Sequence, residues 1–323
     1  MTANHFLWPK NNIRRALSSI PRITKVSALE GMLSDLFLGG YPVLCSSGRV
    51  ALVLALIESG MTRESLVGVF PYASHCVLDA IARVATPLAG SAAKSAHLRV
   101  VYHQWGFVQE TELPSNSIED CVDTLCIPGA ALFPGGGRFE VWSLPKILGT
   151  TSGGILWCRD RETAKKISTL RDKRGGGNFQ WLMRLLAGVY PKAHDYWQGA
   201  EGTLGKLGHM QMGEILVAIS QWETTVGDRL NKLSLTWSRA VDWLPRPWDR
   251  LPPVVPMEPN LSETMIRSLG ISSGYRMMER FNKQNGAYIS KTMPLPIHQD
   301  TSIAWLEEIL IILDKHKHNA GKI

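Results

Sequence analysis

The chain has 323 residues, of which 45% are apolar and 20% charged, and this balance is typical of a soluble globular enzyme with a large core. Its 35 basic and 28 acidic residues give a net charge of +7, which favours anionic partners. The sequence lacks the basic runs and aromatic–basic repeats of nucleic-acid-binding proteins. Apolar runs are too short to span a membrane and residues 1–15 carry no secretory pattern, so we expect a soluble, cytoplasmic protein.

Cysteine and histidine usage favours neither a disulfide framework nor a metal site. The five cysteines form no Cys-x-x-Cys pair and lie mostly in apolar runs, as buried free thiols do. The nine histidines lack metal-ligand spacing. We therefore expect a reducing compartment and no bound metal.

Hydrophobic periodicity predicts alternating helices and strands in the first half of the chain. The predicted elements are, in order, a helix at 26–39, a strand at 41–45, a helix at 49–59, a strand at 67–70, a helix at about 74–85, and strands at 99–102 and around 118–125. Two further strands, at 141–142 and 155–158, flank Lys146. This alternation favours an α/β sheet covered by helices on both faces.

The second half is predicted to be mainly helical. Helices are expected at about 160–171, 179–187 and 213–233, followed by a connector at 243–259 that contains six prolines. Beyond it we predict a helix, a strand at 287–290 and a final helix from 302. The sequence therefore predicts a large α/β domain over residues 1–240 and a small C-terminal domain over residues 241–323.

Lys146 is the most informative single residue. It lies between two predicted strands, in the segment 143–149 (SLPKILG), and a Gly-Gly pair at 153–154 follows. Enclosed lysines are unusual, and burial in general favours the neutral amine that condenses with an aldehyde such as that of pyridoxal phosphate. A loop lysine that reaches solvent explains the motif equally well, so the motif alone leaves both interpretations open.

Other motifs lie in the order that a pyridoxal phosphate site requires. Ser47 and Gly48 form a strand-to-helix turn whose N–H groups suit an anion, although simple helix capping is the commoner reason for such a serine. Asp120 ends a predicted strand, where a carboxylate can face a protonated pyridine nitrogen or merely act as a cap. Tyr72 and His75 follow the 67–70 strand, where an aromatic ring can stack on the pyridine, and a structural role is equally expected for each.

The hydroxyl of Ser143, three residues before Lys146, can contact the cofactor phosphate. The same Ser-x-x-Lys spacing occurs in serine acylases, in which the serine is the nucleophile. That alternative needs Ser143 to begin a helix, whereas Pro145 and Gly149 favour a strand followed by a loop. The sequence therefore favours the cofactor over acyl transfer.

In combination these motifs resemble the DegT/StrS family of sugar aminotransferases, which depend on pyridoxal phosphate (PLP). The segments that carry the resemblance are 47–52 (SGRVAL), 118–121 (IEDC), 143–146 (SLPK) with the following Gly-Gly pair, 212–218 (MGEILVA) and 295–298 (LPIH). The likeness spans nearly the whole chain. It implies fold type I, the aspartate-aminotransferase fold, in which helices flank a mixed, mostly parallel sheet and a small C-terminal α+β domain follows.

The resemblance also implies roles for individual positions. Lys146 would form the Schiff base with PLP, Asp120 would hold the pyridine nitrogen, and residues 47–49 would bind the phosphate. The family acts as a homodimer, and His209 stands where its asparagine reaches the phosphate bound to the partner.

Several positions depart from the family pattern. Arg49 replaces a small residue, and Asp123 replaces a glutamine three residues after the family's aspartate. The stacking phenylalanine aligns with Ser74, which leaves neighbouring His75 as a substitute. Connections at 86–98 and 107–117 are too short for the family's usual helices. These departures alter the phosphate cup and leave the Lys–Asp pair intact.

The resemblance implies an aminotransferase that moves an amino group from glutamate onto a keto sugar nucleotide, for polysaccharide or secondary-metabolite biosynthesis. Two alternatives stay open. One is a PLP-dependent sugar dehydratase or lyase, against which Lys146 argues because such relatives carry histidine there. The other is a non-catalytic relative that binds sugar nucleotides. The positive net charge fits a diphosphate-bearing substrate, and no nucleic acid or membrane partner is expected.

Overall fold

A seven-stranded mixed sheet forms the centre of the computed structural model, which describes residues 7–320 except 11–12, 21, 72, 110–111, 188–189, 191, 194–201, 204, 241–243, 245–246, 260 and 280–286. The strands are β1 (Tyr41–Cys45), β2 (Leu66–Val69), β3 (Thr86–Ala89), β4 (Leu98–Tyr102), β5 (Ser117–Asp120), β6 (Leu125–Cys126), β7 (Phe139–Ser143) and β8 (Gly154–Cys158), with β6 outside the sheet. The spatial order is β1-β8-β7-β5-β4-β2-β3. Among the strands of the described sheet, β8 runs in the direction opposite to the other six, so the predicted mostly parallel sheet is confirmed.

Helices cover both faces of this sheet. They are α1 (Ile13–Ser18), α2 (Val26–Leu36), α3 (Gly48–Glu58), α4 (His75–Ala82), α5 (Leu144–Leu148), α6 (Arg161–Asp172), α7 (Asn178–Leu186), α8 (His209–Ser220) and α9 (Trp222–Ala240), with short 3₁₀ turns at Gly90–Ser95 and Gln104–Gly106. No helix among the described residues is long and apolar enough to cross a membrane.

The period-2 alternation of the strands divides the buried side chains into two cores. In β1, Val43 packs with α3, α4 and α6, while its neighbour Leu44 packs on the opposite face with α2, α8 and α9. In β8, Leu156 and Trp157 divide in the same way. Helix α3 is apolar on all sides because it lies inside the first core, between the sheet and its neighbouring helices.

The C-terminal part forms a second, antiparallel sheet. Its elements are β9 (Arg250–Leu251), β10 (Val254–Met257), α10 (Glu263–Ser268), β11 (Gly274–Glu279), β12 (Ala287–Pro296) and α11 (Ile303–Ala320). The strand order is β10-β12-β11, so β11 is an edge strand, and β9 pairs separately with β6. The boundary between residues 240 and 241 stays a prediction.

Three element predictions were wrong in detail. The proline-rich connector at 243–259 contains β9 and β10, because Leu251, Val254 and Val255 are fully buried and pair with neighbouring strands. The 86–98 connection, which was expected to be too short for the family's usual helix, contains the edge strand β3, and this strand was not predicted. The single helix expected at 213–233 is two helices, α8 and α9, separated at Gln221.

Candidate active site

The carboxyl ends of four strands meet at one edge of the central sheet. Strands β4, β5 and β7 are parallel and end at Tyr102, Asp120 and Ser143. Strand β1 is antiparallel to β8, which is antiparallel to β7, so β1 also ends at this edge, just before the Ser47 turn. The order of strands therefore collects segments that are up to 100 residues apart, roughly, along the chain.

Two buried aspartates occupy the centre of this edge. Asp120 is 3% exposed, and its Oδ1 accepts a hydrogen bond from the Val122 N–H at 3.2 Å. Burial raises the pKa of Asp120 to about 7, against the lowering effect of Lys146 and together with the repulsion of Asp123. Asp123 is fully buried, and its carboxylate accepts a hydrogen bond from the Tyr102 hydroxyl at 2.5 Å. Burial raises the pKa of Asp123 as well, although Lys146 and the Tyr102 hydrogen bond oppose the increase.

The positive charge of Lys146 is the largest influence that lowers the pKa of Asp120 and of Asp123, so the lysine lies within electrostatic range of both carboxylates. It is half-buried, its neighbours in α5 are buried as predicted, and its Nζ lies 4.7 Å from the centroid of the Trp8 ring. The lysine is therefore covered by an aromatic ring from the N-terminal segment rather than directed into open solvent.

Hydrogen bonds from two arginines stabilise the backbone around Lys146. Helix α5 ends at Gly149, which adopts the left-handed conformation at φ 67° and accepts a hydrogen bond from Arg15. Arg229, which is fully buried, donates to the Ile147 carbonyl at 3.0 Å and to Gln299 at 2.8 Å. Burial lowers the pKa of Arg229 to about 9. These contacts fix the backbone on both sides of Lys146.

The predicted phosphate turn lies against the same segment. Ser47 is the N-cap of α3, and its hydroxyl accepts a hydrogen bond from the Val50 N–H at 3.2 Å. The first N–H groups of any helix lack intrahelical partners, which suits such a turn to an anion. A Cβ on Gly48 would lie 3.3 Å from the Ser143 Cβ. A Cβ on Gly154 would lie 2.4 Å from the Gly48 nitrogen, so only glycine lets β8 begin this close to the turn. The Ser–Gly turn, Ser143 and the Gly-Gly pair are thus brought together as the sequence predicts.

Ser143 lies directly before a short helix, which was not expected. It directly precedes α5, with Pro145 in the first turn, where the missing N–H of proline is not needed. The expectation that Pro145 and Gly149 exclude a helix was therefore wrong. The Ser143 hydroxyl makes no capping hydrogen bond with α5.

The remaining predicted site residues are less closely gathered. The Arg49 guanidinium lies 2.9 Å from the Cys76 Sγ, which lies 3.5 Å from the His75 Nε2. His75 is exposed at the start of α4, and His209 is exposed at the start of α8. Among the described contacts, none joins His75 or His209 to Lys146. Tyr72 lies outside the described residues.

A cavity of about 450 Å³ opens beside this edge. Its walls are mainly aromatic and apolar, and they include Trp8, Phe70, Tyr102, Gln104, Trp105 and Arg276. Phe70 and Tyr102 pack with ring centroids 4.9 Å apart. Because Trp8 also covers Lys146 and Tyr102 also binds Asp123, the cavity and the buried charges form one site.

Sequence reasoning missed Trp8, Tyr102, Trp105 and Arg276. Tyr102 stands beside Asp120 in the register of β4 and β5, which follows from strand order and not from sequence. Trp105 follows in a strand-end segment and has a positive φ of 49°, which is rare for a bulky residue and concentrates at functional sites. Trp8 and Arg276 lie far from the motifs along the chain, and no local signal marks them.

Known proteins resemble this chain in overall fold and, over residues 35–190, in sequence. Residues 35–190 match the model of a family described as "Putative PLP-dependent aminotransferase". The fold is similar to that of "Putative sugar aminotransferase Spr1654 from Streptococcus pneumoniae", with a TM-score of 0.67 and 13% identity over 99% of this chain and 100% of the other. A DegT DnrJ EryC1 StrS aminotransferase from Brucella abortus has a TM-score of 0.63 and 15% identity, covering 94% of this chain and 95% of its own. DesI, solved in the presence of its TDP-sugar product, has a TM-score of 0.64 and 14% identity, covering 97% and 93%. Comparison with curated protein sequences found no match.

The structural likeness confirms the predicted fold type I, in which the described β8 is the antiparallel strand of an otherwise parallel sheet. The family match over residues 35–190 confirms the predicted class, a PLP-dependent aminotransferase, and with it the predicted cofactor.

The residues at the sheet edge fit the three functional groups of PLP. A cationic ring nitrogen would compensate Asp120, whose burial raises its pKa to about 7 when no such partner is present. The Lys146 amine suits the aldehyde. The N-terminus of α3 and the uncapped Ser143 hydroxyl suit the phosphate.

Proposed function

We propose that the protein is an aminotransferase that uses PLP to move an amino group from glutamate onto a keto sugar nucleotide. The observation that carries the proposal is that Lys146 contacts Trp8, a wall of the 450 Å³ cavity, and acts electrostatically on the buried pair Asp120 and Asp123. The fold likeness to sugar aminotransferases, one of them solved with a TDP-sugar product, supports the substrate class.

When bound, PLP supplies an aldehyde that takes up an amino group and a ring that withdraws electrons. Lys146 Nζ would hold the aldehyde in the resting protein, and its amine, once displaced by the amino group of the substrate, would accept a proton from the reacting carbon and donate it to the former aldehyde carbon. Asp120 would provide a negative charge that stabilises a protonated ring nitrogen. Asp123, held by the Tyr102 hydroxyl, keeps a second negative charge near Lys146, and Trp8 limits the access of water to Nζ.

A spectroscopic experiment tests the role of Lys146. Addition of PLP to the wild-type protein is expected to produce the visible absorbance of covalently bound cofactor, and Lys146→Ala is expected to abolish it. Lys165→Ala, which removes an exposed lysine of α6, is the matched control and should leave the band unchanged. A wild-type protein without the band, or a Lys146→Ala variant that keeps it, contradicts the proposal.

A second experiment separates the alternatives. Incubation with glutamate and keto sugar nucleotides, followed by mass spectrometry, is expected to show an amino sugar product. Loss of water without nitrogen uptake indicates the dehydratase alternative. Binding of a sugar nucleotide without cofactor uptake indicates the non-catalytic one.

We further propose a cytoplasmic homodimer that acts in polysaccharide or secondary-metabolite biosynthesis. Helix α7 supports the dimer, because Phe179, Leu182 and Leu186 are exposed at helical spacing on one face. His209, exposed at the start of α8, would approach the phosphate bound to the partner. Sedimentation is expected to show a dimer, and a monomer that still binds PLP would contradict this assembly.

A further inference from the structure

The cavity beside Lys146 lies between the central sheet and the small C-terminal sheet. The Gln104 side chain, after β4, donates to the Met277 carbonyl of the edge strand β11 at 3.0 Å. This hydrogen bond holds β11 against the site and makes it a wall of the cavity. The opposite walls are the aromatic side chains of Trp8, Phe70 and Tyr102.

Arg276 is the one charged side chain among the described residues that line the cavity. It is half-buried, and its hydrogen bonds, to the Gly274 carbonyl and the Thr292 hydroxyl, are both 3.5 Å long. Such lengths are at the limit of hydrogen bonding, and among the described residues no carboxylate pairs with this guanidinium. Burial lowers the pKa of Arg276, and the Tyr102 phenol opposes that effect. A buried cation without an anion is costly, so this wall is suited to an anionic ligand.

Arg276 is also joined to the Lys146 group by a series of neighbours. It interacts electrostatically with Tyr102, whose hydroxyl binds Asp123, and Asp123 in turn interacts with Lys146. Trp8 lines the cavity and covers Lys146. A ligand in the cavity therefore meets a cation on one wall and aromatic faces on the opposite wall, where Trp8 also contacts the Lys146 amine.

We propose that Arg276 binds the diphosphate of a nucleotide-linked substrate in this cavity, an assignment that rests on the proposed function. A guanidinium pairs with two oxygens of a phosphate or of a carboxylate, so the amino donor's carboxylate is the competing source of the anion. The aromatic walls favour the nucleotide, because a base or a sugar ring offers a face that packs on Phe70, Tyr102 or Trp8. Glutamate offers no such face.

Binding of uridine diphosphate and thymidine diphosphate, measured by calorimetry with and without PLP, tests the assignment. The Arg276→Gln variant is expected to bind the tighter of the two diphosphates roughly 10- to 100-fold more weakly than wild type, as for loss of charged hydrogen bonds. Arg276→Lys keeps the charge and loses the planar donor pair, so its diphosphate affinity should lie between those of Arg276→Gln and wild type. Arg267→Gln is the matched control, because Arg267 is an arginine of α10 whose side chain is 81% exposed, and its affinity should equal that of wild type.

Every outcome decides the assignment. Equal losses in Arg276→Gln and Arg267→Gln would show only the effect of net charge and overturn it, as would a wild type that binds neither diphosphate. If Arg276→Gln keeps diphosphate affinity but slows the spectral change that glutamate causes in the PLP-loaded protein, the anion is the donor carboxylate and the assignment is wrong. Diphosphate binding that depends on Arg276 in a protein that takes up no PLP supports the assignment while refuting the aminotransferase proposal. Should Arg276→Gln fail to fold, Arg276→Lys decides: affinity equal to wild type would overturn the assignment.

Discussion

The buried Asp120 carboxylate destabilises the folded protein in the absence of the cofactor, and Asp120→Asn should remove this destabilisation. Burial raises the pKa of Asp120 to about 7 from its ordinary value of 3.8. At about 1.4 kcal/mol per pH unit, this difference corresponds to about 4 kcal/mol of destabilisation once the carboxylate is fully charged. Relaxation and water entry reduce such effects, so we expect roughly half of it to be measured.

The pH dependence follows from the sign of the shift. Because the folded pKa is raised above the unfolded one, the contribution to stability is present below pH 3.8 and is lost as the pH rises through about 7. Asparagine does not titrate. The advantage of Asp120→Asn over the wild type should therefore increase between pH 5 and pH 8 and then stay constant.

Urea unfolding of the PLP-free proteins at pH 5, 6, 7 and 8 measures this advantage. Asp160→Asn is a control of opposite sign: the Thr163 N–H lowers the pKa of this exposed helix-capping carboxylate, so its substitution should bring no gain that increases with pH. With PLP present, Asp120→Asn should instead weaken cofactor binding. An advantage of Asp120→Asn that is the same at pH 5 and pH 8 would refute the reasoning.

Two further substitutions test the surroundings of the buried charges. Tyr102→Phe removes the hydroxyl that donates to Asp123 and should destabilise the protein by about 1–3 kcal/mol at pH 8 in urea unfolding. Because burial raises the pKa of Asp123, the loss should decrease as the pH is lowered, and a loss that does not change with pH would contradict this. Trp8→Ala uncovers Lys146 and should increase the rate at which bound PLP is lost on dilution, measured by absorbance. Tyr275→Ala, which removes an exposed aromatic side chain on the opposite wall of the cavity, is the control. An unchanged rate would show that Trp8 does not shield the amine.

The sequence by itself determined the pattern of elements and the chemistry of the reactive pair. Hydrophobic periodicity predicts the alternation of helices and strands, because the spacing of apolar residues within each segment indicates its secondary structure. Lys146 and Asp120 are recognisable because each lies at a strand end with a distinctive neighbourhood, namely the 143–149 segment with its Gly-Gly pair and the acidic end of β5. The glycine at 154 is likewise a sequence signal, since the turn at Ser47 leaves no room for a side chain there.

Tertiary structure alone decided what surrounds that pair. Tyr102 meets Asp123 only because β4 and β5 are neighbours in the sheet, and no local pattern specifies that neighbour. Trp8 covers Lys146 from about 140 residues away, and Arg276 reaches the cavity through a second sheet. Such contacts arise when separate layers of secondary structure pack together. The reactive residues are therefore recognisable from local sequence motifs, whereas the residues that line the pocket are not.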